Sequence, residues 1–216
     1  MLWDRLSPEG RAVMRLAYVE ARELGHPCIA DEHVLLAILR HGANQAAALL
    51  RTQGLDLATA RTELQRVGPT LGPRTDPAGS LRSLGIDADD VRRRLEAIFG
   101  ADALQTAEGR VRRRPRWRGG HPRPNALCVH LLAKRSLEFA ARLAEGRGEA
   151  AITPDHLLYG ILRDARDPLG TQLSRRSRKE LAALGWRGDR PNPLRMLLEA
   201  RGIDLARLTA ELAGNA

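Results

Sequence analysis

The stretch RELGHPCIADEHVLLAILR, residues 22–40, returns as EGRGEAAITPDHLLYGILR at residues 145–163. At an offset of 123 positions, Gly25, Ile29, His33, Leu35, Ile38, Leu39 and Arg40 meet Gly148, Ile152, His156, Leu158, Ile161, Leu162 and Arg163. Further on, Leu49, Leu50, Gly54, Asp56, Leu57, Ala58, Glu63 and Leu64 meet Leu197, Leu198, Gly202, Asp204, Leu205, Ala206, Glu211 and Leu212 at an offset of 148. The second copy therefore holds 25 residues more between its halves, the difference between 148 and 123. Two copies of one helical unit predict a single body with a pseudo-two-fold axis, because a solenoid needs about three or more stacked repeats.

Local signals make each copy helical. Ser7-Pro8-Glu9 is a helix start: a hydroxyl at the N-cap, proline at the first helical position and an acid in the first turn. Val13, Leu16, Ala17 and Ala21 follow at helical spacing, and Gly25 ends the run. A second helix begins near Ala30 or Asp31 and carries Val34, Leu35, Ile38 and Leu39 on one face. Thr153-Pro154-Asp155 repeats the start signal in the second copy. Residues 44–51 and 57–67 read as third and fourth helices, with Gly54 as the turn between them. Leu84-Gly85-Ile86-Asp87 repeats that turn once more before a helix over residues 88–99. No alternating apolar run is long enough for a sheet, so the expected fold class is all-α.

The organisation expected is a first repeat with its extra helix over residues 1–104, a linker over 105–125, and a second repeat over 126–216 with an insertion near 166–191. The linker, QTAEGRVRRRPRWRGGHPRPN, is rich in Arg, Pro and Gly, a composition that favours disorder. Seven of the chain's basic residues and none of its acids fall within 110–125, whereas residues 1–68 balance at eight of each. The net charge of +9 thus sits largely in the linker, and nucleic acid is not the expected partner of the folded body. The insertion contains Ser174-Arg175-Arg176-Ser177-Arg178-Lys179, which reads as a short basic helix.

Aromatic residues are scarce (Trp 3, Tyr 2, Phe 2), so the core must be built from Leu, Ala, Val and Ile. Cys28 and Cys128 lie far apart with no ligand spacing around them, and are expected as buried thiols in a reducing compartment. No apolar run reaches membrane-spanning length and the N-terminus lacks a signal-peptide core, so a cytoplasmic protein is expected, without contact to a membrane. No phosphate-cradling G-x-x-x-x-G-K-[ST] occurs, nor any nucleophile–base constellation. The expectation is a protein that is not an enzyme and uses no cofactor and no metal. His33 and His156, at one place in both copies, are expected to share a structural job.

Glu20-Ala21-Arg22-Glu23-Leu24-Gly25-His26, followed by Asp31-Glu32-His33-Val34-Leu35-Leu36-Ala37-Ile38-Leu39, resembles the Clp N-terminal repeat, the module at the front of Clp-type AAA+ unfoldases such as ClpC and ClpA. The turns at Gly54-Leu55-Asp56 and Gly85-Ile86-Asp87 fit the same pattern. The resemblance covers both repeats but neither the linker nor the insertion. Without an ATPase motif, the chain reads as a stand-alone repeat domain.

The resemblance implies a binding role in Clp proteolysis: an adaptor, decoy or sequestering protein whose partners are a Clp unfoldase or protease, or its substrates. It also implies a ligand, phosphoarginine or a cyclic peptide. The family's phosphoarginine site pairs a hydroxyl at the first helix start with an acid before the histidine of the second helix. Residue by residue this carries over to Ser7 and Glu32 in the first copy, and to His130 and Asp155 in the second. A helix start offers N–H groups to phosphate and a carboxylate offers paired acceptors to guanidinium. The alternative is a regulator that contacts DNA or RNA through the basic linker, with Trp117 stacking on bases.

Overall fold

In a computed structural model of the chain, the residues described are 2–26, 28–68, 70, 87–100, 128–129, 131–166, 173–182, 186–188 and 190–214. A 3-10 turn over Leu2–Arg5 leads into α1 (Pro8–Glu23), the two-residue strand β1 (Cys28–Ile29), α2 (Asp31–His41), α3 (Gln45–Thr52) and α4 (Leu57–Val67). After α5 (Ala88–Phe99), the order repeats as β2 (Cys128–Val129), α6 (Leu131–Gly146) and α7 (Pro154–Arg166). Then α8 (Arg175–Ala182) is interposed before α9 (Pro193–Ala200) and α10 (Leu205–Leu212).

The duplication holds to the residue. Adding 123 to the starts of α1 and α2, residues 8 and 31, gives 131 and 154, where α6 and α7 begin. Adding 148 to the starts of α3 and α4, residues 45 and 57, gives 193 and 205, where α9 and α10 begin. The caps repeat as well. Asn44 and Asn192 accept from backbone N–H groups at the starts of α3 and α9, and Asp56 and Asp204 do so at α4 and α10. Gly25 and Gly148 both turn the chain at φ near +70° (68° and 69°), a conformation that costs other residues strain.

Two short backbone contacts join the copies. Leu6 bridges Ile152, and β1 runs parallel to β2 with Cys28 opposite Cys128 and Ile29 opposite Val129. The offset of 123 carries Leu6 to Val129 and Ile29 to Ile152, so the same axis that exchanges the helices exchanges these bridges. Gly10 makes the close approach possible: a Cβ there would lie 2.6 Å from the carbonyl oxygen of Ile152. Cys28 is disulfide-bonded, and the chain's other cysteine is Cys128. The expectation of two isolated thiols is therefore corrected; residues 100 apart in sequence are brought into register by the repeat.

The chain divides into two compact units, residues 1–73 with 127–216, and residues 74–126. The first contains both repeats. Its most extensive contacts lie within the hairpins α1–α2 and α6–α7, and α2 also packs against α7. Leu35, Leu36 and Ile38 of α2 and Leu157, Leu158, Ile161 and Leu162 of α7 are fully buried. From Asp31 to Leu39, every residue of α2 is buried, so this helix has no solvent face over nine positions. The buried Glu20 carboxylate of α1 takes Arg40 of α2 (2.9 Å) and Arg61 of α4 (2.8 Å), tying three helices of the first repeat. Of the second unit, α5 is described: Asp90 pairs with Arg93 and Arg94 along it, and Ile98 is exposed. The expected linker at 105–125 lies outside the described residues. Among those described, no helix is long and apolar enough to cross a membrane.

Candidate functional site

Ser7 caps α1. Its hydroxyl accepts from Gly10 N–H at 3.0 Å, and its own N–H donates to Ile152 O at 2.9 Å. It is buried, and the Leu6–Ile152 bridge sets it beside the segment that leads to Asp155. Glu32 is 1 % exposed and its carboxylate is occupied. Thr70 N–H donates to Oε1 and Thr70 Oγ donates to Oε2, both at 2.8 Å. The two first-repeat candidates are thus each engaged by their own neighbours. Thr70 had no signal in the sequence, because it lies 38 residues from Glu32 in a loop-like stretch.

Asp155, the counterpart of Glu32 at an offset of 123, is half-buried. Its Oδ1 is enclosed and has no hydrogen-bond partner. Burial pushes its carboxyl above the usual range, opposed by the backbone N–H of Ala46 at the start of α3. Asp155 borders a cavity of about 400 Å³ between the repeats. Ala48 and Leu49 of α3 and Leu212 of α10 give it apolar walls, and Arg147 and Glu211 add charge. Glu211 was legible as the partner of Glu63 in the duplicated tails, though not as a cavity residue. His130 lies outside the described residues.

The duplicated histidines have a shared job. His33 Nδ1 accepts from Ala30 N–H at 2.9 Å, and His156 Nδ1 accepts from Thr153 N–H at 3.1 Å. Each satisfies an otherwise orphaned donor just ahead of its helix. With Nδ1 accepting, the proton of His33 resides on Nε2, which donates to His26 Nδ1 at 2.7 Å. Burial lowers His33 to about 4 and lowers His26 as well, so both rings are neutral at neutral pH. At the position equivalent to His26 the second repeat has Glu149, 3.6 Å from His156 Nε2.

His26, Glu32 and His33 are the one group of three metal-capable side chains among the described residues, with ligand atoms within 4.8 Å of one another. Their hydrogen bonds speak for a relay. The His33 Nε2 lone pair is absent in the tautomer that Ala30 dictates, and both Glu32 oxygens are held by Thr70.

A second polar cluster lies between the repeats. Asp31, at the start of α2, accepts from Ser136 Oγ of α6 at 2.8 Å, and Arg135 holds Asp164 of α7 at 2.9 Å. Asp31 and Asp164 are both buried, and Oδ2 of Asp31 is enclosed without a hydrogen-bond partner, so burial and the neighbouring carboxyl together favour a proton on Asp31. Burial first, then the charge of Asp164, push Asp31 well above the usual carboxylate range, against the Ser136 hydrogen bond.

Residues 5–78 match the Clp repeat (R) N-terminal domain. The likeness to a Clp repeat lies in that third of the chain. Over 105 residues it is 31 % identical to the negative regulator of genetic competence ClpC/MecB of Bacillus subtilis, covering 48 % of this chain and 13 % of that protein. Over 74 residues it is 38 % identical to the chloroplastic chaperone protein ClpC2 of Oryza sativa, 34 % of this chain and 8 % of that one. The chain spans about a tenth of the length of the curated relatives it matches. The solved N-terminal domain of ClpD from Arabidopsis thaliana superposes with a TM-score of 0.53 at 13 % identity, covering 99 % of this chain and 96 % of that one. That likeness gives an all-α fold that spans both copies of the duplication, although the family match is confined to the first.

Proposed function

We propose that the chain is a non-enzymatic binding module of the Clp proteolysis system: an adaptor, decoy or sequestering protein for phosphoarginine-marked substrates or peptide-like ligands. The observation that carries this reading is the contrast between Glu32 and Asp155. The repeat places them equivalently, yet Thr70 brings a pair of donors to the first and no hydrogen bond reaches the enclosed oxygen of the second. Asp155 borders a cavity large enough for an arginine side chain. A guanidinium would supply to Asp155 the paired donors that Thr70 supplies to Glu32. Its methylenes would lie on Leu49 and Leu212, and a phosphate would face Arg147. The Glu32 position takes a ligand only by displacing Thr70.

The test is calorimetric titration of the chain with phosphoarginine, and with a phosphoarginine peptide, against arginine and phosphoserine controls. Losing one charge-assisted bond costs about 1.5–3 kcal/mol, or roughly 10- to 150-fold in affinity. Asp155→Ala is expected to lose affinity by that factor while Glu32→Ala changes it little. Phosphoarginine binding that survives Asp155→Ala would refute the assignment. Equal binding of phosphoserine would remove the guanidinium from it. The reading takes the chain to act in the cytoplasm, where the Cys28 bridge would be under reducing pressure.

A further inference from the structure

The Cys28 bridge sits on one side of the pseudo-two-fold axis only. The offset of 123 carries Cys28 to Ala151 and Arg5 to Cys128, so the symmetric side of the seam has no cysteine. There the copies are joined by hydrogen bonds: Ser7 N–H to Ile152 O at 2.9 Å and Ile152 N–H to Arg5 O at 2.7 Å. An ion pair between Arg5 and Glu145 lies beside them. On the other side, Cys28 stands in parallel register with Cys128. Cys28 is disulfide-bonded and 1 % exposed. The family match ends at residue 78, so it includes Cys28 but not the strand that holds Cys128.

We propose that this bond is a redox-governed clasp between the two repeats, closed by exchange with low-molecular-weight disulfides and opened by low-molecular-weight thiols. In closure, one cysteine thiolate attacks a sulfur of the small disulfide and expels one small thiolate, leaving a mixed disulfide. The second cysteine thiolate attacks the protein sulfur of that mixed disulfide and expels the other small thiolate. One protein S–S bond forms and one small-molecule S–S bond is lost. Two electrons pass from the protein to the small disulfide, and the two cysteine protons end on the released thiolates. Opening is the reverse.

Burial of Cys28 adds a kinetic consequence. A small thiol reaches the buried Cys28 sulfur only when β1 and β2 part, so attack at that sulfur is slow and reports the opening of the seam. The bond closes a loop of about 100 residues, near the long end of those for which chain restriction has been worked out. Its loss is expected to lower the melting temperature by roughly 10 °C.

The experiment uses the full chain. Protein equilibrated with oxidised glutathione is denatured and treated with iodoacetamide, and the adducts are counted by mass. The chain is then titrated across reduced-to-oxidised glutathione ratios, with melting temperature and adduct number read at each ratio. Expected are no adducts at the oxidising end, two at the reducing end, and a melting temperature that falls in step with them. Cys28→Ser should melt with reduced wild type and ignore the ratio. Two adducts in the oxidised sample, a disulfide-linked dimer on a non-reducing gel, or wild-type melting independent of the ratio would each overturn the proposal. The wild-type titration decides even where Cys28→Ser does not fold.

Discussion

Replacing Asp31 by asparagine should stabilise the protein at neutral pH and leave it nearly unchanged near pH 4. Asp31 lies buried in the cluster between the repeats, where burial and the charge of Asp164 favour its protonated form. Its folded-state pKa is raised above the unfolded value, so the folded chain holds a proton that the unfolded chain releases. The favourable contribution is fully present below the unfolded value of 3.8 and is lost as pH rises through the folded one. Each pH unit of that window removes about 1.4 kcal/mol. Asparagine carries no proton to lose, and its amide can donate permanently to Asp164, which Arg135 keeps paired at 2.9 Å. Against this stands the loss of a charge at the start of α2, worth about 0.3–1 kcal/mol. That loss is moot while Asp31 is neutral. Glu32, the other acid facing the cluster, also disfavours a charge on Asp31. The net expectation at pH 7.5 is a gain in unfolding free energy and a higher melting temperature for Asp31→Asn, growing with pH across the window. The assay is urea denaturation of wild type and Asp31→Asn at half-unit steps from pH 4 to 8. A difference that stays constant over the series, or one that favours wild type increasingly toward pH 8, would show that Asp31 holds no extra proton in the folded chain.

Thr70→Ala removes the hydroxyl donor to Glu32 and leaves a buried carboxylate oxygen unmatched, so unfolding free energy should fall by about 1.5–3 kcal/mol in urea titration. Thr70→Ser restores that donor and should recover most of the loss. Gly10→Ala sets a Cβ 2.6 Å from the Ile152 oxygen, a backbone atom that cannot swing aside, and should cost about 1–3 kcal/mol by the same measurement. Glu20→Ala should cost about 1–3 kcal/mol and faster amide exchange in α4, since Arg40 and Arg61 then converge only on the more exposed Glu23.

The helices were legible because they are written in short-range terms. Ser7-Pro8, Thr153-Pro154, Asp56 and Asp204 each mark a start within a few residues of the helix they head, and duplication supplied a second reading of each. The spacing of Val34, Leu35, Ile38 and Leu39 disclosed one apolar face of α2, but not that its polar residues Asp31, Glu32 and His33 are buried too. Periodicity reports which face of a helix enters a core, and α2 is enclosed on every side. Its two acids find their partners far away in sequence: Thr70 lies 38 residues from Glu32, and Ser136 lies 105 from Asp31. The disulfide was illegible for the same reason. Nothing around Cys28 or Cys128 encodes that a two-fold axis will lay their strands side by side.

The paired bridges at Leu6–Ile152 and Ile29–Val129 make each half the template on which the other's edge is completed. Residues 1–73 and 127–216, made as separate polypeptides, then have the means to find each other and reconstitute the body by fragment complementation. At high concentration the same complementarity works between molecules, where one chain's first half can pair with another's second half in an exchanged dimer. Which of the two assemblies forms becomes a matter of effective concentration: the connection through 74–126 favours the internal partner, and crowding of chains favours the external one.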